Sequence, residues 1–148
     1  MIKVLVDQLK NELRNQAEGY VRRSEEIIGQ IAELKDPASV DVLLSLLDDH
    51  AEFDELMFSI IHAIEIFDDR IFVREIIRHL PEFWRTAPRW ASIIHMRIMN
   101  SPRTLAAYAI AFENLSEDEK HAVREVLIAL RRKRPVFEER IDRLLAGL

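Results

Sequence analysis

The chain predicts an all-α fold, a HEAT-like stack of antiparallel helix pairs forming a short α-solenoid of about eight to nine helices. Three observations carry this. Apolar residues recur at i, i+3 and i+4 along most of the length, as in Leu43, Leu44, Leu47 and then Leu56, Met57, Ile60, Ile61, Ile64, Phe67. Only 3 Gly and 5 Pro interrupt the 148 residues, and the Asn-Gly and Asp-Gly pairs that turn a β-hairpin are missing. A repeat also runs beneath the periodicity: Ser59-Ile60-Ile61-His62 recurs as Ser92-Ile93-Ile94-His95, and Val40, Leu43, Leu44, Leu47 fall on Val73, Ile76, Ile77, Leu80 at the same offset of 33 residues. A looser third copy follows as Leu105, Tyr108, Ala109 and Phe112, and Ile141 and Leu145 close the series.

The elements follow in order. Helices over 2–18 and 23–34 make an N-terminal helical cap, residues 1–35, outside the repeat-like pairs of 36–145. Asp36-Pro37 sets a capping side chain before a proline whose missing N–H is harmless in a first turn, and opens a helix over 37–48. Helices over 53–67 and 69–79 come next, the second ended by Pro81 and carrying His79 near its C-terminus, where the dipole favours a cation. A helix over 82–99 breaks near Thr86-Ala87-Pro88, flanked by Trp84 and Trp90, two candidate core pillars. Arg97 and Asn100 help to end it before Ser101-Pro102 caps a helix over 102–113. Ser116 with Glu119 forms a capping box for 117–132, and Pro135 precedes the last helix at 136–146. A chain of this size is one domain over 1–148, hiding roughly 68–70% of its unfolded surface.

Composition closes several classes of function. With no cysteine there is no disulfide framework, thiolate nucleophile or metal knuckle. No apolar run reaches the ~18–20 residues that cross a bilayer, and the start is charged too early for a secretory segment, so a cytoplasmic protein without a membrane partner is expected. A net charge of −5 argues against nucleic acid as partner, since such binding draws on Lys and Arg neutralising phosphates. The run Arg131-Arg132-Lys133-Arg134 sits at a helix C-terminus, where the dipole already favours it. Three glycines leave little room for a phosphate loop, and no serine has a nucleophile-elbow setting. No catalytic residue, cofactor or metal is therefore expected, and the protein is not expected to be an enzyme. Among the histidines, His62 with Glu65 and Asp118 with His121 have metal-ligand spacing, but one such pair is weak beside the alternative for His62 and His95, a hydrogen-bonded histidine at a seam between helices.

Charge is segmented instead. Residues 36–69 hold ten carboxylates, Asp36, Asp41, Asp48, Asp49, Glu52, Asp54, Glu55, Glu65, Asp68 and Asp69, and no Lys or Arg. Between Arg70 and Phe112 the sign reverses, with seven arginines against Glu75 and Glu82. Helix starts account for Asp36, Glu52, Asp54, Glu55, Asp68 and Asp69 through the dipole. Asp48 and Asp49, placed by periodicity in a last helical turn, oppose the dipole. A solvated loop, pairing with the chain's own arginines, and a surface that docks a basic partner are the three open readings. On the last, the contacting set is Asp48, Asp49, His50, Glu52, Asp54, Glu55, Glu65, Asp68 and Asp69.

Four short elements then resemble a known family: Leu43 to Leu47 with Asp48-Asp49, His62-Ala63-Ile64-Glu65, Ala87-Pro88-Arg89-Trp90 and Arg97-Ile98-Met99-Asn100-Ser101 are similar to the bacterial immunity proteins grouped as immunity protein 30. The resemblance covers about residues 36–130 and leaves the first 35 outside. It implies a small cytoplasmic protein encoded beside a polymorphic toxin, as in contact-dependent growth inhibition, that binds the cognate toxin domain and blocks its active site; the acidic segment adds the expectation of a basic nuclease as that domain, bound by a monomer in a 1:1 complex. It implies no catalytic residues. The competing function is a HEAT-like adaptor joining two proteins without a toxin partner.

Overall fold

A computed structural model describes all 148 residues, Met1 to Leu148. It contains nine α-helices and no strand, as the periodicity predicts: α1 Ile2–Asn15, α2 Tyr20–Glu33, α3 Ala38–Ser45, α4 Asp54–Ile64, α5 Asp69–Thr86, α6 Pro88–Met99, α7 Pro102–Ile110, α8 Glu117–Lys133 and α9 Glu138–Ala146. Short 3-10 turns lie at Ala111–Asn114 and Pro135–Phe137. The chain divides into two compact units, Met1–Asp68 and Asp69–Leu148.

In the first unit α1 and α2 form a helical hairpin, α2 packs on α4, and α4 on α3. Helix α1 stops at Asn15 because Gln16 takes a left-handed conformation (φ 50°) and its N–H returns to the Glu12 carbonyl. Gly19 enters α2 at φ +82°, and a Cβ there would meet Arg23 Nη1 at 2.8 Å. Arg23 ties the hairpin together: its Nε lies 2.9 Å from both Glu12 carboxylate oxygens, and Nη1 donates to the Glu18 carbonyl at 2.8 Å. Leu9, Ile28, Ile31, Val40, Leu43, Ile60 and Ile64 are buried.

Helix α3 is shorter than its apolar pattern suggests. After Ser45 the N–H groups of Leu46 and Leu47 turn to the carbonyls of Leu43 and Leu44, the tightened bonds of a helix end. Asp48 Oδ1 then accepts the His50 N–H at 2.9 Å, and its carbonyl accepts from Ala51 at 3.2 Å. A carboxylate that bonds the backbone two residues on competes with helical pairing, and here it wins.

In the second unit α5 and α6 pack on each other and on both α7 and α8, and α8 packs on α9. The expected boundary at Pro81 does not exist: α5 runs unbroken through it for 18 residues. A proline inside a helix costs about 3 kcal/mol, but Phe72, Val73, Ile76, Ile77, Leu80 and Phe83 are all buried along this helix, each contributing about 1.5–3 kcal/mol. Packing outweighs the missing bond. The break falls at Ala87 (φ −142°, ψ 64°), which Pro88 forces out of helical geometry, and Pro88 opens α6. His79 is thus well inside α5, and it pairs through Nε2 with Glu75 Oε2 at 3.3 Å rather than answering a helix C-terminus. Ser101 caps α7, and Ser116 with Glu119 makes the capping box of α8 in both directions. Trp90 is fully buried, whereas Trp84 is half-buried and donates Nε1 to Glu125 at 2.9 Å. Arg131, in the last turn of α8, bridges to Glu138 at 2.9 Å and Asp142 at 3.0 Å, so part of the basic run is structural.

The repeated tetrapeptide does not repeat its environment. Val40, Leu43, Leu44 and Leu47 and their counterparts Val73, Ile76, Ile77 and Leu80 are all buried, but His62 is exposed while His95 is fully buried. The buried stripe of α6 is displaced by one residue relative to that of α4, which turns the same four letters toward a different side. The seam role expected for both histidines holds for His95 alone.

Candidate functional site

The acidic candidates collect at two places in the first unit. Asp48, Asp49, His50 and Glu52 lie in the connection between α3 and α4, and Asp54 and Glu55 occupy the first turn of α4. Glu65 and Asp68 follow the other end of α4. Eleven helical residues separate the two ends, a rise of about 16 Å, so the set forms two groups rather than one patch.

The first group is built on a compact turn. The two bonds to Asp48 close residues 48–51, and the Asp48 N–H points to the Met57 sulfur at 3.4 Å. This presents His50 to solvent at the middle of the turn, with Asp49 half-buried beside it. Glu52, Asp54 and Glu55 are exposed. Asp54 and Glu55 at the start of α4 meet the positive end of its dipole, which favours negative charge there. Phe53, which charge patterning alone does not single out, stands among them at 38% exposure and packs its ring 6.3 Å from that of Tyr20 on α2. Burial, and then the charge of Glu52, raises the Tyr20 hydroxyl above its ordinary range and keeps it neutral. A ring bordered by carboxylates was legible only as a phenylalanine in an otherwise polar connection.

Two sequence expectations change. Asp48 and Asp49 lie beyond the helix end, so no dipole penalty applies to them, and Asp48 has a local reason to be aspartate. Asp69 belongs to the second unit as a strut: its Oδ1 accepts the Thr104 hydroxyl at 2.8 Å and its Oδ2 pairs with Arg103 Nε at 2.6 Å, joining the starts of α5 and α7. It is not part of an open acidic surface.

The charge contrast coincides with the division of the chain. Met1–Asp68 carries 15 acidic and 6 basic side chains, a net −9, and Asp69–Leu148 carries 11 and 15, a net +4. No three His, Asp or Glu side chains converge to hold a metal ion, and His62 lies beside the Phe58 ring, 6.5 Å between centroids. His95 is fully buried, and burial pulls its pKa down to about 4, against the smaller opposing effect of its bond to the Ala91 carbonyl. No helix is long and apolar enough to cross a membrane.

The site is thus an exposed acidic turn on an all-helical unit. The family profile described as immunity protein 30 matches residues 10–108, about two thirds of the chain, and the protein belongs to that family. The match reaches back into α1 and takes in all of α2, where the sequence elements had suggested a start near residue 36, and it ends at Tyr108 rather than near 130. The physical reason is in the fold, since α2 packs directly on α4 and is part of the same unit. Immunity proteins have protein toxins as partners. No curated protein and no solved structure matched the chain.

Proposed function

We propose that this protein neutralises a cognate toxin of the contact-dependent inhibition type in the cytoplasm, binding it 1:1 and covering the basic active site of a nuclease domain with the acidic turn at 48–55. The observation that carries the reading is the run of ten carboxylates without a single Lys or Arg over residues 36–69. A nuclease site is cationic because it holds phosphates, and a negative surface steers toward it and penalises neutral or acidic competitors. Asp48, Asp49, His50, Glu52, Asp54 and Glu55 make the main contact, with Phe53 as an apolar anchor among them. Glu65 and Asp68 form a second, more distant group. The protein acts by occupying the toxin and performs no chemistry of its own.

The test is co-expression with the toxin encoded beside it. A variant with Asp49→Lys, Glu52→Lys and Glu55→Lys reverses the charge, while Asp48→Asn keeps the acceptor that closes the turn. The combined variant should retain its helical circular dichroism and lose protection. Undiminished protection by a folded variant refutes the electrostatic mode of inhibition.

A further inference from the structure

The second unit carries an unclaimed groove. It has a volume of about 580 Å³ and lies between α5 on one side and α7 with the 3-10 turn Ala111–Asn114 on the other. Val73 and Ile77 of α5 lie beneath its floor and are buried, and the open apolar surface comes from Ile110, at 67% exposure, with the part-exposed Ala111 and Leu115. Arg70, Arg74 and Arg78 line its α5 wall, all three exposed.

The arginines stand at i, i+4 and i+8, one above the other along about 12 Å of helix. Arg70 and Arg78 make no ion pair, and Arg74 has only its neighbour Glu75, at 3.5 Å. Like charges at this spacing destabilise a helix by roughly 0.2–0.5 kcal/mol per pair, and Arg70 in the first turn also opposes the dipole. Along α5 only Glu75, beside Arg74, offsets this. Of the two carboxylates on the facing wall, Glu119 is held by the Ser116 backbone N–H at 2.9 Å, which leaves Glu113 alone against three guanidinium groups.

We propose that this groove docks an acidic amphipathic helix of a protein partner, its apolar side on Ile110, Ala111 and Leu115 and a row of carboxylates against the arginine ladder. Charge complementarity selects the occupant: carboxylates at i, i+4 and i+8 on a second helix have the same spacing as the three arginines. The inference is independent of toxin neutralisation and uses a different unit of the chain.

The experiment uses the full-length protein and a fluorescent synthetic 16-residue helix with leucines along one face and glutamates at three successive i, i+4 positions beside them. Saturable binding should weaken with added salt, and fall about tenfold or more in Arg70→Glu/Arg74→Glu/Arg78→Glu, a loss of about 1.4 kcal/mol. Amide chemical-shift changes on the unaltered protein should concentrate at 70–78 and 107–115, which keeps the test valid even if the triple variant folds poorly. The proposal is overturned by absent binding, by equal binding of a peptide with lysine in place of glutamate, by shifts located elsewhere, or by self-association of the chain through this face. The acidic-turn variant that loses toxin protection should still bind this peptide, so the two ideas fail separately.

Discussion

Removing one hydroxyl from the second unit tests how its core is specified. His95 and Tyr108 are both fully buried, and their contact joins α6 to α7. His95 Nδ1 lies 2.8 Å from the Ala91 carbonyl, which only accepts, so Nδ1 carries the proton. Nε2 is therefore an acceptor, and the Tyr108 hydroxyl donates to it at 2.7 Å. The Tyr108 ring also meets that of Phe112 edge-on at 5.2 Å, and Phe in its place keeps this contact. Tyr108→Phe thus removes little more than the donor and leaves Nε2 buried without a partner, a cost of about 1–3 kcal/mol. For a chain of this length that is a fall of roughly 2–12 °C in Tm. Urea unfolding followed by tryptophan fluorescence measures it in the right place, because Trp84 and Trp90 both belong to this unit. Adding His95→Leu removes the orphaned acceptor, so the double variant should be more stable than the sum of the single losses predicts by about 1–2 kcal/mol. A Tyr108→Phe protein within about 0.5 kcal/mol of the parent, with strictly additive losses, would refute the tautomer and the bond assigned to it.

The same histidine sets a pH dependence. Its folded pKa near 4 lies below the ordinary 6.5, so between these values the unfolded chain binds the proton and the folded one does not. Stability is fully present above pH 6.5 and declines as pH falls to 4, by about 3 kcal/mol from this group. Urea midpoints across that range should show the slope, and His95→Leu should flatten it. Gly29→Ala should stabilise α2 by about 0.5–1 kcal/mol, because the position is helical, a Cβ there meets nothing within 4 Å, and alanine loses less backbone entropy; a lowered midpoint in thermal unfolding would count against that.

How much of this was legible in the sequence depends on the range of the interaction. Caps at Ser101 and Ser116 and the break at Ala87-Pro88 are local chemistry, and the sequence displays them directly. Pro81 shows the limit: the rule that proline ends helices is a local one, and six buried side chains along α5 override it. The end of α3 fails for the opposite reason, since Leu46 and Leu47 continue the apolar pattern while Asp48 diverts the backbone into a turn. His62 and His95 share a tetrapeptide but not a helix face, and only packing decides which one is enclosed. For the acidic candidates, composition displayed the charge but not its distribution. Their division between the two ends of α4, and the capture of Asp69 by Thr104 and Arg103, are tertiary facts.

Helix chemistry explains several of these carboxylates one at a time and still leaves the run unexplained. Asp54 and Glu55 suit the start of α4, Asp36 accepts the Ala38 N–H at 3.0 Å, and Asp48 closes its turn. None of these local roles requires the absence of every cation from 34 consecutive residues. A unit of net −9 gains internal stability from any Lys or Arg placed among its acids, because self-repulsion falls, and an exposed surface accepts such residues readily. Apart from the dipole at Glu55, Glu52 and Glu55 have little local use, since they are exposed, make no ion pair and flank the half-exposed Phe53. If a cationic protein supplies the missing counter-charge, the affinity should reside in these two side chains and the ring between them, and the association rate should fall steeply with ionic strength while dissociation changes little. An association rate indifferent to salt would place the contact away from the acidic turn.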